Sequence, residues 1–148
     1  MKRNLLLVIA CGLMTSGVTW GADIVGTWRN IDDKTGTSKG IIQITKEANG
    51  TYTGKIVRVT PRPGYTPKES CVNCPGDFKD KPMLGLNVLN GLKKESETEY
   101  GGGKILDPLS GKLYSVKAKL SANGKNLKLR GFVGVSALGR SQTWYREE

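Results

Sequence analysis

Two cysteines spaced C-x-x-C, Cys71 and Cys74 in the stretch PKESCVNCPGD, are the first residues whose type and spacing suggest chemistry. Three chemistries use such a pair: metal ligation, thiol–disulfide exchange and a covalent cross-link. A closed zinc site takes about four Cys, His or carboxylate ligands, and this chain has no histidine. Glu69, Asp77 and Asp80 are the acidic neighbours, so a metal would have to be shared between two chains. A thioredoxin-type centre sets its first cysteine at a helix N-terminus in a βαβ unit. Here Pro61, Pro63, Pro67, Pro75 and Pro82 surround the pair and block both helix and central strand. The residues therefore favour a local disulfide that stiffens a long loop over 61–82. Closing so small a ring stabilises by about 2 kcal/mol, so the expected effect is on local shape.

Other candidate chemistry is sparse. Without histidine, the commonest general base and metal ligand is missing, and no serine has an identifiable partner. The expectation is a protein that binds without catalysing, with neither metal nor cofactor. GGGK at 101–104 lacks the spacing and the following Ser or Thr of a phosphate-binding loop. Asp32-Asp33 reads as a ligand contact or as turn chemistry, with the turn favoured. Asp107-Pro108 reads as a turn. The candidate ligand-binding residues are Trp28, Asp33, Tyr114, Arg130 and Trp144. Buried aromatics in small barrels more often pack than bind. Arg130 would need a buried partner if it faced inward and would be a solvated charge if it faced outward, which the pattern favours.

These residues need a scaffold, and the chain supplies one after its first 22 positions. Lys2 and Arg3 precede an apolar run from Leu5 to Met14, followed by small and polar residues. This is the layout of a secretory signal, too short for the roughly 20 apolar residues of a membrane span. Residues 1–22 are read as the signal and 23–148 as one domain, periplasmic or secreted. VIAC offers Cys11 as a lipidation site, the disfavoured reading given the short apolar run before it. Loss of Lys2 and Arg3 lowers the formal charge from +10 to +8. Export argues against a nucleic-acid partner. It leaves a small molecule or an anionic envelope component as the expected partner of a monomeric protein.

Most of the mature chain alternates in period two. In KLYSVKAKL, Tyr114, Val116, Ala118 and Leu120 share one face; in NLKLRGFVG, Leu127, Leu129, Gly131 and Val133 do. Such alternation marks half-buried antiparallel strands. DIVGTWRNI, GIIQITKE, TYTGKIVRV and RSQTWYRE are rich in β-formers. Asn49-Gly50 and Asn123-Gly124 signal hairpin turns. MLGLNVLNGLKKE allows a strand with a glycine kink or a short helix. About eight strands at short spacing predict an all-β fold, a small antiparallel up-and-down barrel.

GTW at 26–28 resembles the Gly-x-Trp signature that opens lipocalin barrels. The ordered series GTWRNIDDKTG, GIIQI, GKIV, CVNC, KPMLGLNVLNGL, GGGKILDPLSGKLYSVKAKL, LRGFVG and GRSQTWYR is similar to domain of unknown function 2147, a family of small secreted bacterial proteins. The resemblance covers nearly all of 26–146. It implies a lipocalin-like barrel and no established activity. It also implies a tryptophan packed at one barrel end near a basic residue of the last strand, Arg146 or alternatively Arg140. The expected ligand is a small apolar or amphipathic molecule near the barrel mouth. The loop over 61–82 is expected to cap a barrel end through Tyr65 and Phe78.

Overall fold

The period-two alternation is realised as eight strands in the computed structural model, which describes residues 23–32, 35–64 and 66–147. They are β1 (Gly26–Ile31), β2 (Ser38–Lys46), β3 (Tyr52–Val59), β4 (Asn87–Lys94), β5 (Glu99–Asp107), β6 (Lys112–Leu120), β7 (Asn126–Phe132) and β8 (Arg140–Arg146). Each strand pairs antiparallel with the next, and β8 returns to β1, closing an all-β barrel in up-and-down order. The signal segment with Cys11, together with Asp33 and Tyr65, lies outside the described residues. Among the described residues no helix is long and apolar enough to cross a membrane.

The inward faces follow the alternation. Val116, Ala118 and Leu120 of β6 are buried, as are Leu127 and Leu129 of β7, while Lys117, Lys119 and Lys128 point outward. Val133 departs from the sequence expectation. β7 stops at Phe132, and Gly134 with φ 78° turns the chain away, so Val133 is 73% exposed.

The ambiguous MLGLNVLNGLKKE resolves as β4 with a kink. Tyr52 and Gly54 of β3 face Leu92 and Leu89, so three steps on β4 oppose two on β3. Gly91 sits in this bulge with φ 70°, a conformation that costs an L-residue and bends the strand. A second register shift on β5 falls between Tyr100 and Gly103, where β5 meets β6. The glycine run at 101–103 thus serves barrel curvature.

The segment between β3 and β4 is the long connection expected from its prolines. Its described residues include a 3-10 turn, Gly76–Phe78, and a bridge between Ser70 and Pro82. Cys71 and Cys74 are joined as a disulfide. Both cysteines are buried within the main apolar cluster, and Phe78 packs against it. The pair therefore does more than stiffen a loop. It inserts a compact apolar unit that fastens the connection to the barrel. Opposite it, the Asn73 amide donates to the Leu109 carbonyl at 3.5 Å, and the Cys71 sulfur lies 3.8 Å from the Pro108 carbonyl oxygen. These contacts hold the connection to the β5–β6 turn.

Candidate functional site: the open mouth of the barrel

Strand direction sorts the connections into two ends. The β2–β3, β4–β5 and β6–β7 turns gather at one end with the residues before β1. The β1–β2, β3–β4, β5–β6 and β7–β8 connections gather at the other.

The first end is plugged. Trp28 is 0% exposed, and its indole N–H donates to the Ile24 carbonyl at 2.8 Å. Of the two arginines weighed for this place, Arg146 takes it, with its guanidinium carbon 4.3 Å from the centre of the Trp28 ring. That arginine also donates to the carbonyls of Gly124 at 2.8 Å and Val25 at 2.9 Å, tying β8 to the β6–β7 turn and to the residues before β1. Tyr52 and Tyr100 meet edge to face at 5.3 Å. The Tyr52 hydroxyl donates to the Asp23 carboxylate at 3.1 Å. Burial, reinforced by that carboxylate, pushes the Tyr52 phenol up to about 12. Burial raises the Tyr100 phenol as well.

The second end opens into a cavity of about 510 Å³. Its lower part is apolar: Ile42 of β2, Ile56 of β3, Val88 of β4, Ile105 of β5 and Leu129 of β7 surround Trp144. Trp144 is 1% exposed, and Tyr114 stands higher on the wall. The rim is cationic. Lys39, Arg58, Arg62, Lys68 and Arg140 line it, against Asp107 as the one carboxylate among the described lining residues. Asp32 lies beside the rim and pairs with Arg62 at 3.0 Å and Lys39 at 3.9 Å. It also accepts from the Thr35 amide at 3.1 Å, so it is both turn former and ion-pair partner.

The predicted site residues divide accordingly. The structure brings Tyr114 and Trp144 together on the cavity wall. Trp28 lies at the plugged end, away from the cavity lining. Arg130 lies on the outer face of β7 and does not line the cavity. Its guanidinium donates to the Ser136 and Ala137 carbonyls and to Ser141 Oγ, pinning the β7–β8 connection. It is thus a structural tie, where the sequence suggested a solvated charge. Asp33 lies outside the described residues.

Lys39, Arg58 and Arg62 were not singled out in the sequence, because the rim is assembled from β2, β3, the β3–β4 connection and β8. Arg58 shares the sequence parity of the inward-facing Tyr52, Gly54 and Ile56, but a bulge after Ile56 breaks that phase, and Arg58 is exposed and paired with Ile41 of β2. Arg140, weighed as a tryptophan neighbour, belongs to the opposite end.

The comparisons agree with this architecture. No curated protein matches the chain. A solved structure titled "Protein HP1028 from the human pathogen Helicobacter pylori belongs to the lipocalin family" is similar in fold, with a TM-score of 0.72 at 21% identity. The match covers 86% of this chain and 84% of that one. A family model described as "Uncharacterized protein conserved in bacteria (DUF2147)" matches residues 26–146. The chain belongs to that DUF2147 family.

Proposed function

We propose that the protein binds a small amphipathic molecule in its barrel, without catalysing a reaction on it. The observation that carries this reading is the cavity of about 510 Å³, apolar below and polar at its rim. Ligand pockets of roughly 300–1,000 Å³ with this division between apolar wall and a few polar groups suit small molecules. The apolar body would lie against Trp144, Leu129 and Ile105, where burial contributes roughly 25 cal/mol per Å². The polar end would remain at the mouth. The proposal includes export from the cytoplasm. It is supported by the charged and apolar pattern of residues 1–22 and by the Cys71–Cys74 disulfide, a bond favoured in oxidising compartments.

Gly131 offers the test. It faces the cavity from β7, and a Cβ there would meet Tyr114 Cβ at 3.5 Å and Ile105 Cγ2 at 3.6 Å, ordinary contacts. Gly131→Phe should therefore project a ring into the empty space. The neutral dye Nile red should brighten with the parent protein and not with this variant, at comparable melting temperatures. Equal brightening with both proteins would place the dye elsewhere and overturn the reading.

A further inference from the structure

Resting on that reading, we infer that the ligand carries an anionic head group, a carboxylate, phosphate or sulfate, held at the mouth by Arg58, Lys68 and Arg140. The rim cations are not equivalent. Lys39 and Arg62 share the Asp32 carboxylate. The remaining rim carboxylate, Asp107, is turned into its own turn, accepting from the Leu109 amide at 3.0 Å and the Ser110 hydroxyl at 2.8 Å. The side chains of Arg58, Lys68 and Arg140 make no ion pair or hydrogen bond among the described residues. They arrive from β3, from the β3–β4 connection and from the start of β8, and all three line one opening. Lysines on an outer strand face, such as Lys119 and Lys128, stand over no cavity and need nothing but water. Three like charges around an opening with an apolar floor are a different arrangement. Their mutual repulsion is relieved by an anion at the centre, and guanidinium forks match carboxylate and phosphate oxygens geometrically. An amphiphile satisfies both halves of the cavity, whereas a neutral apolar molecule leaves the rim unanswered.

The experiment uses four ligands of one chain length: dodecanoate, dodecyl phosphate, dodecanol and dodecyltrimethylammonium. Each is titrated below its aggregation concentration against the full chain, following intrinsic tryptophan fluorescence, to which Trp144 of the cavity wall contributes. Both anions should bind roughly tenfold or more tighter than dodecanol at low salt, as a charge-assisted contact predicts, with the cation weakest. The gap should narrow as salt screens the rim. The combined variant Arg58→Gln, Lys68→Gln, Arg140→Gln should lose the gap while keeping the parent's dodecanol affinity and melting temperature. Equal binding of dodecanol and dodecanoate by the parent overturns the inference and leaves amphiphile binding standing. Failure of all four ligands removes both. Inorganic phosphate binding as tightly as dodecyl phosphate would make this a free-anion site and overturn the head-group assignment. So would capture by vesicles of anionic lipid without binding of monomeric dodecanoate, which would assign the cations to a membrane surface.

Discussion

The plugged and open ends of this barrel are made from the same eight strands, and they spend their polar and apolar groups in opposite ways. At the plugged end the large side chains are inside: Trp28, Tyr52 and Tyr100 are buried and Arg146 is committed to ring and carbonyl contacts. At the open end large apolar side chains stand outside. Leu138 is 82% exposed, and Leu84, Leu109, Val133 and Val135 on the connections of this end are exposed too. The three unpaired rim cations also lie there. One end commits its large aromatic side chains to packing inside the protein, and the other leaves apolar and charged groups without protein partners. Stability should therefore depend on the first end and recognition on the second.

Trp28→Ala should produce the largest effect. Removing a buried tryptophan costs about 3–5 kcal/mol, which corresponds to a fall in Tm on the order of 10 °C. Nile red affinity measured well below the new Tm should stay near the parent value. A normal Tm with lost dye binding would reverse the roles of the two ends.

A smaller loss is expected where the open end is clamped. A Cβ on Gly111 would stand 1.7 Å from the Asn73 carbonyl oxygen, and Gly111 has φ 75°. Gly111→Ala should cost about 1–3 kcal/mol and speed proteolytic cleavage within 61–82, with the circular dichroism of the barrel retained. Unchanged cleavage would mean that the β5–β6 turn does not hold the connection.

Tyr52→Phe should cost about 1 kcal/mol at neutral pH through the lost bond to Asp23. Its pH signature is more telling. The folded-state pKa of Tyr52 stands above its unfolded value of 10.0, at about 12. The stability it confers is therefore complete below pH 10 and lost as the pH rises through about 12. Alkaline unfolding should move to higher pH in the variant, followed by circular dichroism. An identical alkaline transition would show that Tyr52 is not the group that ionises.

Leu138→Ser should change stability least, within about 0.5 kcal/mol, because an exposed side chain has little burial to lose. A loss of several kcal/mol would mean that the open end is packed and the contrast between the ends is false.

Legibility in the sequence followed the same division. The inward faces of the β6–β7 hairpin could be read from Val116 to Leu129, because alternation and the Asn123-Gly124 turn agree. The tryptophan and basic residue of the plugged end came from the family resemblance. β5 was the least legible strand. Its glycines at 101–103 have low β propensity, and only the neighbouring strands hold them in the sheet. The mouth was mostly illegible for a geometric reason. Lys39, Arg58, Lys68 and Arg140 are dispersed over the chain, and only closure of the barrel brings them around one opening. Arg130 misled because a charge opposite an apolar face reads as solvated. The short connection 133–139, folding back over it, supplied partners that no spacing rule anticipates.

The ring of strands has one more consequence, for how other molecules approach. Every described strand has a paired neighbour on both sides, so little backbone edge is offered to an incoming extended peptide. Recruitment by strand addition would first have to unzip a seam. Two seams hold by three residue pairs each, β3 with β4 and β1 with β8, the latter from Trp28 with Arg146 to Asn30 with Trp144. The β1–β8 seam is bolted by the tryptophan–arginine contact at its lower end. A partner is thus directed to side chains on the connections, and the barrel is guarded against growing into a larger sheet through its own backbone.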